Sequence, residues 1–236
     1  MRIYTQLFLV FLFTFKAASQ HTEFGISLNS GLFSFRGPSA EKVTSLNLSD
    51  INDDSYTNNP YGSKNGLVYG LSLRLQQITK GKLIYNIELG YENLRSKILI
   101  NQIFPYQDFG TIRSYKATGK TILSHHFINA YPSIGFRIKL KKYSMDLIAG
   151  TELAYCLFAY EKGSAKNELG VRYTSSKNRS TIRFDFRPRI QATFNYKEYG
   201  IYTAYSNGLM NYKSGYVGGI NECYSRIIRF GLNYKF

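Results

Sequence analysis

The sequence predicts an all-β fold, about eight antiparallel strands closed into an up-and-down barrel that spans a membrane. Three observations predict it. The last stretch sets Ile228, Phe230, Leu232, Tyr234 and Phe236 against Arg229, Gly231, Asn233 and Lys235, and so strict a period of two marks a strand between unlike environments. Similar segments recur along the chain, joined by connections that run long, short, long, short, long, short, long. That is the pattern of tight periplasmic turns and long outer loops. The faces opposite the apolar ones carry stripes of charge, which would be left in solvent on a lipocalin-like secreted barrel and can pair inside a lumen.

In chain order, a cleaved leader is expected over residues 1–19 and a barrel domain over 20–236. Arg2 supplies the positive end of the leader, Leu7 to Phe15 its short apolar run, and Ala17-Ala18-Ser19 the small residues before Gln20. That run is short for a retained anchor, and no Cys stands near the cleavage point to carry a lipid. The first strand spans about Thr22 to Phe35, with Phe24, Ile26 and Leu28 opposite Glu23, Gly25, Ser27 and Asn29. Residues 36–65, rich in Ser, Asn, Asp, Gly and Pro, read as a loop. Leu67, Tyr69, Leu71, Leu73 and Leu75 then alternate with Gly70, Ser72, Arg74 and Gln76, and Thr79-Lys80-Gly81 turns the chain into a strand of Leu83, Tyr85, Ile87, Leu89 and Tyr91 against Asn86, Glu88, Gly90 and Glu92.

A second loop is expected over 96–119, with Ile98 to Ile103 able to prolong the strand outside the bilayer. The fourth strand places Ile128, Ala130, Pro132, Ile134, Phe136 and Ile138 outward, and Pro132 predicts a bulge or break because it cannot donate to the ladder. After Leu140 to Tyr143, the fifth places Met145, Leu147, Ala149, Leu153, Tyr155 and Leu157 outward and Asp146, Gly150 and Glu152 inward. A third loop covers 159–179. The sixth strand splits most sharply, with Ile182, Phe184, Phe186, Pro188 and Ile190 against Arg183, Asp185, Arg187, Arg189 and Gln191. In the seventh, Gly200 to Tyr205, neither parity is clean, and a fourth loop, 206–221, leads into the last strand.

The 236 residues hold 21 Tyr, 17 Phe and no Trp, and the mean hydropathy of -0.26 is too low for a bundle of membrane helices. Beyond the leader no apolar run approaches the roughly 20 residues such a helix needs. The formal charge of +15 becomes +13 once Arg2 and Lys16 leave with the leader. Export argues against nucleic acid as the acidic partner. Outer-membrane lipid is the natural one, through the phosphates of lipopolysaccharide meeting Lys and Arg at the rim and loops.

The chain resembles the PorT-like outer-membrane β-barrel family. The likeness rests on Phe24-Gly25-Ile26-Ser27-Leu28-Asn29-Ser30-Gly31, the strand leading to Phe136-Arg137-Ile138-Lys139, Asp146-Leu147-Ile148-Ala149-Gly150, and the terminal Gly231-Leu232-Asn233-Tyr234-Lys235-Phe236. It implies the fold and the membrane location, and, because some members are linked to protein secretion, contacts with secretion-complex proteins. The closing residues Phe230, Leu232, Tyr234 and Phe236 resemble the signal that barrel assembly machinery reads.

The candidate site is the lumen. Its charge network is expected to comprise Arg74, Glu88, Glu92, Arg137, Asp146, Glu152, Arg183, Asp185, Arg187, Arg189 and Arg229. A barrel of about eight strands is filled by its own side chains, so these charges are expected to form a salt-bridged plug. The competing reading is a narrow anion path along Arg183, Arg187, Arg189 and Arg229. Ser124-His125-His126 is the one suggestion of an enzyme, a lipid A-modifying barrel, but alternate residues of a strand share a face, so Ser124 and His126 point to lipid. No metal or cofactor site is read, and the expected protein is non-enzymatic. Cys156 and Cys223 lie near one end of the barrel on strands that are not neighbours, and a bridge needs Cα atoms within about 7 Å.

Overall fold

The structure, a computed structural model, describes residues 19–48, 55–105, 114–216 and 219–236. The expected leader lies outside them save for Ser19, which opens the first strand. The regular elements are β1 (Ser19–Arg36), β2 (Val43–Asn47), β3 (Tyr56–Thr57), β4 (Lys64–Thr79), β5 (Leu83–Phe104), β6 (Tyr115–Leu140), β7 (Tyr143–Asn167), β8 (Arg172–Arg179), β9 (Phe184–Tyr196), β10 (Tyr199–Asn207) and β11 (Tyr224–Lys235). Antiparallel pairing runs from β1 to β4, β5, β6, β7, β9, β10 and β11, and β11 returns to β1. The sheet therefore closes on itself and leaves no free edge along this path.

The wall is uneven. At the end away from the tight turns β5, β6 and β7 rise past their neighbours, β8 pairs with the extension of β7, and β2 lies parallel to that of β5. Here the expected loops give way to strand. Residues 36–65 contain β2 and β3, most of 96–119 belongs to β5 and β6, and 159–179 is the outer part of β7 with β8. The physical reason is that these segments lack the continuous apolar outer face of the rest of the wall, so the apolar/polar alternation that marks a strand in the sequence fades while pairing continues. In 206–221 the irregular part begins only after Asn207, the last residue of β10.

The three tight connections each hold one lysine in the left-handed region, Lys82 (φ 66°), Lys141 (φ 49°) and Lys197 (φ 51°). Hairpin turns favour positive φ because it matches the twist of the flanking strands. Thr79 braces the first of them, its carbonyl accepting the Lys82 N–H at 2.9 Å and its Oγ1 the Leu83 N–H at 3.1 Å.

Pro132 leaves a local gap in the β6–β7 ladder, where neither it nor Tyr131 is paired with β7, but it does not end the strand. It faces outward, and the β6–β7 register is the same on either side of it, Ala130 opposite Leu153 and Ser133 opposite Gly150. The bulge sits elsewhere, between His126 and Phe127, which oppose Phe158 and Cys156 and leave Leu157 as an extra residue on β7. The seventh predicted strand, β10, has a clean parity after all, with Gly200, Tyr202, Ala204 and Ser206 buried and Tyr199, Ile201, Thr203 and Tyr205 exposed. Thr203 and Ala204 blur it in the sequence because each is small and neutral to its face.

Candidate functional site

Between the tight turns and the bulge the burial pattern is the reverse of a soluble protein's. Leu73, Phe136 and Ile190 are about three-fifths exposed on the outside, while Arg187, Arg229, Glu152 and Asp146 are fully buried within. The inward charges meet in two tiers. In the lower tier Arg137 donates to Glu23 at 2.6 and 2.9 Å and to Asp146 at 2.7 and 2.8 Å. Asp146 also accepts from Gln76 and Asn195 at 3.1 Å, and Lys235 stands 3.6 Å from Glu23. Arg74 joins the tiers, 3.8 Å from Asp146 and 3.9 Å from Glu88, with its Nε on Asn86 at 2.9 Å.

Glu152 centres the upper tier, with Arg187 at 2.8 Å, Arg229 at 2.9 Å and Arg189 at 3.4 Å. Arg229 grips Glu92 through two bonds of 2.6 and 2.8 Å, Arg189 lies 3.3 Å from Glu88, and Arg187 holds Asp185 at 2.7 Å. The guanidinium of Arg187 also covers the Phe127 ring at 4.3 Å and that of Arg189 the Tyr131 ring at 4.2 Å. Gly231 makes room in this lumen, since a Cβ there would stand 2.2 Å from the ring of Tyr202 on the facing strand. The six cations Arg74, Arg137, Arg187, Arg189, Arg229 and Lys235 thus meet the six anions Glu23, Glu88, Glu92, Asp146, Glu152 and Asp185. Their charges balance. Among Glu88, Glu92, Asn129, Tyr131 and Arg189 the packing leaves a cavity of about 10 Å³, room for roughly one water.

Above the charges the mouth is filled by rings. Phe35 packs against Phe33 and Tyr212 at centroid distances of 4.9 Å and against Tyr61 at 5.1 Å. Tyr212 comes from the connection after β10 and reaches down to donate to Asp185 at 2.8 Å, which fastens the loop to the network. Burial pushes the thiol of Cys223, in the same connection, up to about 12. Cys156 and Cys223 are both buried in this cluster and both free.

One member of the expected network is corrected. Arg183 is exposed and precedes β9, so the parity of Asp185, Arg187 and Arg189 does not extend to it. Glu23 and Lys235 belong to the network although the sequence reading left them out, and both sit on the inward parity of their strands. Tyr212 had no such signal, because a loop has no parity.

The histidines part company. His126 faces outward, 2.5 Å from the Tyr91 hydroxyl and stacked at 4.1 Å on Phe158. His125 faces inward among Phe33, Phe35, Phe127 and Tyr212, and neither of its ring nitrogens meets a hydrogen-bond partner. Among the described residues no hydrogen bond joins either of them to Ser124, and no three His, Cys, Asp or Glu side chains are placed to hold a metal ion.

The reversed pattern ends along a boundary in the wall that steps by two residues between β1 and β4. Buried and inward along it, Phe33 pairs with Ile227 on one side of the step, and on the other Val68 pairs with Leu94, Leu94 with His125 and His125 with Ala159. Beyond it the interior becomes largely apolar, with Leu46, Ile98, Ile100, Ile103 and Ala165 buried beside Thr57, Thr121 and Glu161, and the outer face gains a basic set, Lys120, Lys162 and Lys166, among exposed Val43, Leu99 and Tyr115. Below it, Ile128 to Ile138 is about 11 residues, the span a tilted strand needs to cross a bilayer. Aromatic side chains crowd both limits of this band, Tyr91, Tyr155, Phe158 and Phe184 above and Tyr143, Tyr196, Tyr199 and Tyr234 below.

No family model and no curated protein sequence matches the chain, so the PorT-like resemblance rests on its quoted motifs. Solved structures similar to it include Ail, the attachment invasion locus protein of Yersinia pestis, at 13% identity and a TM-score of 0.37 over 92% of this chain and 100% of that one, in a complex with the heparin analogue sucrose octasulfate. Neisserial surface protein A is similar at 10% identity and a TM-score of 0.38, again over 92% of this chain and 100% of that one. Likenesses so loose carry no weight for function. The pattern of burial does.

Proposed function

We propose that the chain is a non-enzymatic, integral bacterial outer-membrane protein, an eight-stranded barrel with a sealed lumen that acts through its outer surface. The observation that carries this is the boundary at which the outer face passes from apolar to basic and the interior from charged to largely apolar. A lipid belt below and water above account for it, since lipid rewards apolar outer faces and water polar ones. A lipocalin-like barrel would keep its apolar faces inward throughout.

An anion path needs solvated arginines, and Arg187, Arg189 and Arg229 are buried against carboxylates. The side-chain network is therefore read as a plug, and lipid A hydrolysis is set aside because His126 is engaged by Tyr91 and Asn93. Folding is assigned to the barrel assembly machinery through Phe230, Leu232, Tyr234 and Phe236. A place beside secretion-complex proteins, implied by the PorT-like resemblance, is tested by co-purification from native outer membranes. The decisive experiment fractionates cells and records from planar bilayers. The protein should remain with outer membranes after carbonate washing and give no conductance steps; soluble periplasmic recovery, or anion-selective steps shifted by Arg187→Ala, would overturn the reading.

A further inference from the structure

Because the paired lumen charges cancel, the charge of +13 carried by residues 20–236 lies outside them, and part of it forms a wall on the outer face above the polarity boundary. Lys97 and Lys162 flank Ile122 in one row across β5, β6 and β7. Lys120 stands one row higher on β6. Neighbouring strands are about 4.8 Å apart, so Lys97 and Lys162 are separated by roughly 10 Å.

Two like-charged pairs stand directly opposite each other in register, Lys64 with Lys97 and Lys166 with Arg172. Directly opposed like charges destabilise a sheet. None of these six side chains makes an ion pair among the described residues, and Glu161, the one carboxylate that β7 carries at this height, faces the interior and pairs with Arg179 at 2.6 Å. The wall starts within a few residues of Phe158 and is continuous with the lipid-facing belt.

We infer that this face of β4 to β8 binds the phosphate groups of phosphorylated lipids in the outer leaflet, which offset the opposed lysines. The inference rests on the membrane reading above. It takes lipid over a soluble polyanion because the lysines adjoin the belt that the acyl chains would cover.

The mature chain is refolded into phosphatidylcholine vesicles with and without phosphatidic acid, and the temperature at which the unboiled protein loses its compact gel mobility is measured. Phosphatidic acid should raise that temperature for the wild type. Lys97→Gln/Lys166→Gln should do two opposite things, raising it by about 2–4 °C in the neutral vesicles as repulsion is relieved and removing most of the gain from phosphatidic acid. Lys80→Gln/Lys142→Gln, on the tight turns, should keep that gain, and so should Lys97→Arg/Lys166→Arg, which also serves if the glutamine variant fails to fold. An equal temperature in both lipids, or a full gain in the glutamine variant, overturns the inference. Protection by soluble polyphosphate equal to that by phosphatidic acid overturns the lipid assignment. Failure of the wild type to insert into either vesicle would instead sink the membrane reading.

Discussion

Replacing Arg187 by Met tests the lumen most directly. Met keeps much of the volume, so the change removes charge with little cavity. The guanidinium is 0% exposed and holds Asp185 at 2.7 Å and Glu152 at 2.8 Å. Glu152 would stay compensated, since Arg229 remains at 2.9 Å and Arg189 at 3.4 Å. Asp185 would not. Its remaining contacts are the hydroxyls of Tyr212 at 2.8 Å and Ser225 at 2.7 Å, which donate but carry no charge. The expected cost is that of one orphaned buried carboxylate, about 3–5 kcal/mol. Adding Asp185→Asn removes the orphan and should recover roughly half of the loss. The chain has no Trp, so urea unfolding in vesicles is followed by far-ultraviolet circular dichroism and by gel mobility without boiling. Phe186→Leu, outward on the same strand, should stay within about 0.5 kcal/mol of wild type. A cost below about 1 kcal/mol for Arg187→Met, or a further loss on adding Asp185→Asn, would mean that the arginines are solvated and the lumen is open.

His125→Phe should stabilise the barrel by about 1–2 kcal/mol in the same urea assay, because it replaces a buried ring with two unpartnered nitrogens by one of similar shape; a loss would mean that His125 has a partner in the membrane-bound protein. Cys223, whose burial holds its thiol pKa near 12, is neutral at pH 8 and reacts only as a thiolate. It should therefore resist maleimide in the folded barrel and react after urea, and rapid labelling of the folded form would show that the mouth opens. Replacing Phe236 by Asp should lower the amount of heat-modifiable barrel recovered from membranes, and an unchanged yield would remove the closing strand as an assembly signal.

The barrel half of the fold was legible because its outer and inner faces take opposite polarity on alternate residues, and β9 shows how far that reaches. From Phe184 to Asn195 its parity sorts outward rings from inward charges. One residue earlier the rule fails, as Arg183 has the right parity but lies before the strand begins. The outer extension was illegible for a related reason. Residues such as Lys162, Gly163, Ser164, Ala165 and Lys166 alternate, yet the contrast is between basic and small, which in sequence looks like a polar loop. The cap could not be read at all, since Tyr212 reaches the lumen through a connection whose path no periodicity encodes.

The change of surroundings also explains where the bulge falls. On the proposed membrane placement, a strand passing from lipid to water exchanges the characters of its two faces, and it can do so by changing residue types at fixed parity. β5 does this, going from Tyr91 outward and Glu92 inward to Leu94 inward and Arg95 outward. On β7 a fixed parity would not serve. Counting alternately from Glu152 inward would carry Phe158, Lys162 and Lys166 to the interior and Ala159, Gly163 and Ala165 to solvent. The extra residue Leu157 shifts the count by one, so that Leu157 and Phe158 both face outward at the upper limit of the apolar band. Ala159, Gly163 and Ala165 are then buried and Lys162 and Lys166 exposed. One inserted residue thus places the two lysines on the basic wall and closes the interior beneath β3, where Glu161, also turned inward by the shift, accepts the Thr57 N–H at 2.9 Å and pairs with Arg179.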